Sequence, residues 1–445
     1  MASGVALVHL KDEIVSLETG DEPRAVFDVV GDAPIVLIGE ATHGTHEFYA
    51  KRADLTKRLI AEKGFTAVCI EGDWPDAYRV NRYVRGAPGD ALPNDALGGF
   101  KRFPTWMWRN AEVLEFVAWL RAYNDTCPSR ALPKAGFYGL DLYSMYASIE
   151  AVLRYLDGVD PQAAATARRH YACLETFERH PEEYGYALRF GTHPSCRPEV
   201  IAVLQSMLNA GAVSSQHEIS VENEYFFAEQ NARVVAHAEA YYGAMFDDAI
   251  STWNLRDEHM FDTLGRLTLH LSSDRARPAK AVVWAHNSHV GDAGATTMSR
   301  RGETNIGALA RARYGTDCVS IGFTTYAGTV AAASDWHAPE ERKTVLPARH
   351  DSYESVFHDL GSAGFFLPLR GNRPALAGLP PIARERAIGV IYRPETELES
   401  HYFNARLLDQ FDAVYHFDRT HAVTPLEPSA VWVAGEPPES YPSGE

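Results

Sequence analysis

Three unbroken apolar runs, Ile35-Val36-Leu37-Ile38, Ala67-Val68-Cys69-Ile70 and Ala281-Val282-Val283-Trp284-Ala285, constrain this chain more than any other feature. A strand with one wet face alternates apolar and polar residues. These runs do not alternate, so both of their faces need cover, as in a parallel sheet between layers of helix. Each run ends in ionisable side chains: Gly39-Glu40-Ala41-Thr42-His43-Gly44 after the first, Glu71-Gly72-Asp73 after the second and His286-Asn287-Ser288-His289 after the third. Open α/β sheets bind ligands outside the carboxyl ends of their strands. The expectation is one crevice shared by two carboxylates and two or three imidazoles.

The texture along the chain divides it. Residues 1–142 read as α/β, with strands at 34–39, 66–71 and 135–142 and helices at His46 to Lys63 and near 107–124. From 143 to 273 strand signals vanish and long amphipathic stretches follow, including Glu218 to Phe246 and Leu255 to Leu271, which predicts an all-helical insertion between two strands of one sheet. The sheet resumes at 280–285 and at Cys318-Val319-Ser320-Ile321-Gly322-Phe323, Ala387-Ile388-Gly389-Val390-Ile391 and Ala413-Val414-Tyr415. The fold class read from this is α/β: a mainly parallel sheet core (1–142, 274–325 and 386–434) flanked by helices, the helical insertion (143–273), a small α+β appendage (326–385) and a loose tail (435–445).

Composition narrows the partners. At 445 residues, 46% hydrophobic and 23% charged, the chain has material for sizeable cores. Its 42 basic against 59 acidic residues, net charge −17, argue against nucleic acid or an anionic membrane surface and suit a neutral or cationic small molecule. Five scattered cysteines with no Cys-x-x-Cys pair indicate neither a disulfide framework nor a zinc ribbon. The first residues lack the pattern of a signal peptide, and no apolar stretch approaches the roughly 18 residues of a membrane span. A cytoplasmic protein is expected, and its oligomeric state is left open.

Glu40-x-x-His43 sits where strand meets helix, beside glycines that permit a tight junction. The imidazole there is read as a general base on water, against the alternative that it caps the following helix. Arg52 shares a helical stripe with Phe48, Leu55 and Leu59, which points it at the sheet and demands a carboxylate partner, Glu40 or Glu71. Glu71 is read as orienting an imidazole or as a second acid–base group. Asp73 and Asp141 close their own strands and can face the crevice or cap a helix. His286-x-x-His289, with His43 and a carboxylate, raises a divalent metal site, although the His-Glu-x-x-His pattern of metalloproteases is absent. Nucleophile-elbow, P-loop and dinucleotide fingerprints are absent too. Polar groups on the long helices, among them Tyr225, Arg256 and Asp257, either face solvent or roof the crevice beside Trp108.

Taken together, Gly39-Glu40-Ala41-Thr42-His43-Gly44 with Arg52, Ile70-Glu71-Gly72-Asp73, Trp253-Asn254-Leu255-Arg256-Asp257 and Trp284-Ala285-His286-Asn287-Ser288-His289 resemble the erythromycin esterase family, in order, over about residues 34 to 420. The resemblance implies an α/β core with a helical insertion, lactone-ring hydrolysis as in the macrolide-resistance members, His43 as general base and Glu71 as its acid–base support. Glu40, Arg52, His286 and His289 then hold the remaining active-site positions. Asp73, Trp108, Asp141, Tyr225, Arg256 and Asp257 are expected to contact substrate. No cofactor is expected.

The leading expectation is an esterase in which water activated by His43 attacks an ester or lactone carbonyl without an acyl-enzyme. The alternatives are a metal-dependent hydrolase with His43, His286 and His289 as ligands, and a non-catalytic protein that holds a metabolite in the same crevice.

Overall fold

The computed structural model describes residues 9–17, 23–127, 133–178, 180–213, 219–246, 249–272, 278–336, 338–371 and 373–427. The expected tail, 435–445, lies outside them. Eleven strands are present among the described residues: β1 (Val15–Ser16), β2 (Ile35–Ile38), β3 (Ala67–Asp73), β4 (Gly136–Asp141), β5 (Ala281–Trp284), β6 (Cys318–Ala332), β7 (Glu341–Val345), β8 (Gly364–Pro368), β9 (Ala383–Arg386), β10 (Tyr402–Ala405) and β11 (Ala413–Thr420). The main sheet runs β1-β8-β11-β6-β2-β5-β3-β4, with β7 paired to β6. From β11 to β4 every neighbouring pair is parallel, and β1, β7 and β8 add antiparallel pairing.

The unbroken apolar runs lie at the centre of this sheet and are buried on both faces. Val36, Ile38, Val68, Ile70, Val282 and Trp284 pack on one side against α1 (His46–Lys63), through Phe48, Leu55 and Leu59, and against Phe116 and Val117 of a later helix, Ala111–Thr126. Ile35, Leu37, Cys69 and Val283 alternate to the other side and meet Met260, Leu264 and Leu267. α1 ends at Gly64, whose left-handed backbone (φ +72°) returns its N–H to the Leu59 carbonyl.

The helical insertion is built of α2 (Met145–Val159), α3 (Pro161–Tyr171), α4 (Arg197–Val213), α5 (Ile219–Ala244) and α6 (Ala249–Ser272), with a short helix at Glu182–Arg189. It has its own core, including Tyr143, Val152, Ala164, Ala232 and Tyr241, while α6 also covers the sheet. Asp160 caps α3 by accepting from the amides of Gln162 and Ala163, with Pro161 in the first turn.

Three expectations require correction. Ala387–Ile391 is not a strand of the sheet. It is a buried apolar segment laid across the carboxyl ends of the strands, where Ile388 N donates to Ala41 O, and the regular pairing falls just before it, between β9 and β10. The stretch 326–385 gives β8 to the main sheet, where β8 pairs antiparallel with β11, and so it is not a self-contained appendage. Cys173 and Cys196, given no partner by the cysteine spacing, form a disulfide inside the insertion, because the turn after α3 packs against the start of α4 with their Cα atoms 6.0 Å apart. Among the described residues no helix is long and apolar enough to cross a membrane.

Candidate active site

β5 lies between β2 and β3, in a register that sets Ile38, Trp284 and Ile70 side by side. The residues after those three, Gly39-Glu40, Ala285-His286 and Glu71, therefore emerge at one level, and Asp141 at the end of β4 pairs beside Asp73. Two glycines permit the close approach. A methyl group at Gly39 would overlap the Asn287 side-chain oxygen, and one at Gly44 would overlap the Ala331 carbonyl.

The first group is a chain of three side chains. His43 places Nδ1 3.1 Å from Glu40 Oε1, and Arg52 Nη1 lies 3.3 Å from the same oxygen. All three are buried, with His43 only 3% exposed. The Arg52 guanidinium also lies over the rings of Tyr49 and Trp284, at 4.4 and 5.0 Å, and the Tyr49 hydroxyl donates to the His43 carbonyl at 2.9 Å. The helix stripe thus aims Arg52 inward, and of its two candidate carboxylates it takes Glu40. A carboxylate only accepts, so His43 Nδ1 carries a proton, and in the neutral ring Nε2 bears the lone pair.

The second group is built on Arg256 from the insertion, fully buried. It donates to both oxygens of Asp141 (3.0 and 2.7 Å) and to Glu71 Oε1 (2.8 Å), and its Nη1 lies 3.1 Å from His289 Nε2. His289 turns Nδ1 to Asp257, 2.8 Å away, and stacks on Trp253 with ring centroids 4.4 Å apart. Asp257 also accepts from the Ile306 amide. Burial works against charge on this imidazole, but Asp257 and Glu71 outweigh it and hold its pKa well above the ordinary range.

Glu71 joins the groups. Its Oε1 faces Arg256 and His289, and its Oε2 accepts from the His286 amide at 2.8 Å. The His286 ring faces His43 across 4.8 Å. Asn287 anchors the same turn, donating its amide to Glu40 O (2.8 Å) and clamping Phe323 through both its backbone N–H and its carbonyl.

The structure therefore brings Glu40, His43, Arg52, Glu71, Asp141, Arg256, Asp257, His286 and His289 together. Trp108 adjoins them, donating from Nε1 to the Glu71 carbonyl at 3.2 Å. Asp73 starts the next helix without capping it and pairs with Arg102 at 3.0 Å instead. Tyr225 goes elsewhere: its hydroxyl donates to Met207 O and its ring meets Tyr155, both within the insertion. Sequence reasoning missed Tyr49, which the spacing of the Arg52 stripe marks, and Asn287 and Ser288, which stand between the two histidines of the motif. Among the described residues no group of three or more His, Cys, Asp or Glu side chains is arranged to hold a metal ion. His289 spends both ring nitrogens on protein partners, which removes it from the ligand set with His43 and His286.

Residues 60–420 match the family model described as erythromycin esterase. The chain belongs to the erythromycin esterase family. Within it, this chain is 20% identical over 422 residues to an erythromycin esterase type II of Escherichia coli, covering 90% of this chain and 93% of that protein. A crystal structure titled as a succinoglycan biosynthesis protein superimposes with a TM-score of 0.74 at 21% identity, covering 94% of this chain and 98% of that one. A mutant of the erythromycin esterase EreC in its open conformation superimposes at 0.63 with 16% identity, covering 95% and 98%. Membership of the erythromycin esterase family supports a hydrolase acting on a small molecule.

Proposed function

We propose that this protein hydrolyses a carboxylic ester or lactone by direct attack of water, with His43 as the general base. The observation that carries the reading is the buried chain Arg52–Glu40–His43, which fixes the imidazole with its lone pair on Nε2. Water bound at Nε2 gives up its proton as its oxygen attacks the carbonyl carbon. The tetrahedral intermediate then collapses, the C–O bond breaks and the leaving alkoxide takes the proton back from His43. Glu71 aids by fixing the His286 amide, Arg256 and His289 in one frame. Erythromycin is the compound in the name of the E. coli relative, so macrolactones are the first substrates to try, and an acidic protein of net charge −17 suits a cationic substrate.

The test is to incubate wild type and His43→Ala, with and without added divalent metal, with macrolides and simpler lactones and to follow the mass gain of one water. Turnover by wild type, reduced at least about a hundredfold in the variant and indifferent to metal and chelator, is the expected result. A loss under about tenfold removes His43 from the role. Affinity without turnover across the panel favours the metabolite-binding reading, and turnover abolished by chelation favours the metal-dependent one.

A further inference from the structure

His286 begins a four-residue helical turn, Asn287–Val290, and caps it with its own ring: the Ser288 amide donates to His286 Nδ1 at 3.2 Å. The Ser288 hydroxyl lies 2.8 Å from the same nitrogen. A backbone amide has a proton to give and no lone pair to offer, so Nδ1 is an acceptor in this arrangement and a neutral imidazole must carry its proton on Nε2. A doubly protonated ring would turn an N–H against the amide N–H. The Ser288 side chain is buried, and the Asn305 amide holds the Ser288 carbonyl at 2.6 Å, so the serine is fixed where it stands.

His43 is set the other way. Its Nδ1 faces a carboxylate, which accepts, and its Nε2 bears the lone pair. Two imidazoles with centroids 4.8 Å apart are thus held as opposite tautomers by different neighbours, one by Glu40 and one by the amide and hydroxyl of Ser288. His289, the other imidazole of the motif, is sealed by Asp257, Glu71, Arg256 and Trp253.

From this juxtaposition we infer that Ser288 is a positioning residue that locks His286 as the Nε2–H tautomer, so that His286 donates a neutral hydrogen bond to the carbonyl oxygen while His43 takes the proton of water. This rests on the hydrolase reading. The electron balance is simple: water oxygen bonds to carbon, the C=O pair moves onto oxygen, that oxyanion accepts from His286 Nε2–H, and the proton that leaves water resides on His43 until the alkoxide removes it. A neutral donor fits this place because it polarises the carbonyl and keeps its proton throughout.

The tautomer is a property of the resting protein and is read without substrate. Full-length protein with ¹⁵N-labelled histidines, in long-range ¹H–¹⁵N correlation spectra at neutral pH, is expected to show one ring with a protonated Nε2 and a bare Nδ1 that vanishes in His286→Gln. A protonated Nδ1 on that ring, whether in the other tautomer or in the cation, overturns the inference. Ser288→Ala keeps the amide and loses the hydroxyl. It is expected to leave the tautomer to the amide alone, loosen the ring and lower kcat about tenfold with little change in KM, and Ser288→Thr is expected to restore kcat. An unchanged kcat in Ser288→Ala, in protein that turns over, overturns the positioning role. Absence of turnover on every ester tried defeats the hydrolase reading and leaves the measured tautomer standing, so the two failures are told apart.

Discussion

A histidine beside a carboxylate is common, and what sets His43 apart is the arginine behind that carboxylate. Glu40 and Arg52 are buried together, so each charge depends on the other. Arg52→Ala is therefore expected to lower the unfolding free energy by about 3–5 kcal/mol, read by urea denaturation, because it strands a buried carboxylate. It also removes the guanidinium from the faces of Tyr49 and Trp284. An unchanged denaturation midpoint would mean that Glu40 is solvated. The sequence made Arg52 legible because one helical stripe leaves a buried arginine few partners. It did not separate His286 from His289, since a His-x-x-His spacing carries no information about direction. The turn sends one ring toward His43 and the other between Asp257 and Trp253, and only the second set of neighbours, supplied by a helix some thirty residues earlier, tells them apart.

Among the elements, the unbroken apolar runs were read correctly as central parallel strands because coverage on both faces leaves a plain mark in the sequence. The same mark misled at Ala387–Ile391. Burial under the Ala41-Thr42 loop gives an apolar run as readily as burial in a sheet. Just before that segment, β9 buries Glu385, which accepts from Asn287 and faces Glu354. Burial first, then repulsion from Glu354, pushes its pKa up from 4.5 to about 8. The folded protein thus keeps a proton that the unfolded chain has lost over that interval. The contribution of Glu385 to stability falls as pH rises from 4.5 and levels off above about 8. Glu385→Gln, which copies the protonated form, is expected to melt higher than wild type at pH 8 and alike near pH 4.5. Parallel melting curves at every pH would show that Glu385 is charged in the fold.

For the whole molecule, one side chain ties the insertion to the sheet tips. Arg256 on α6 meets Asp141 at the end of β4, Glu71 at the end of β3 and His289 after β5. Arg256→Met is expected to split one cooperative urea transition into two, with the insertion losing structure first, followed by circular dichroism and tryptophan fluorescence together. A single transition shifted to lower urea would place the coupling in the apolar contacts of α6 instead. The insertion itself was legible from its loss of strand signal, whereas the strand order was not. Nothing in a linear sequence marks β5 as the strand that lies between β2 and β3.

That order bears on synthesis. A ribosome delivers β2 and β3 long before β5, with the entire helical insertion in between. Until β5 arrives, the two earlier strands lack the partner that each needs on its inner edge. The early chain must either hold a slot open or pair those strands with each other and later release them. His43 and Glu71, made early, gain their common neighbour only when the strand leading to His286 enters, so the crevice that holds them cannot take shape until the whole insertion has been made.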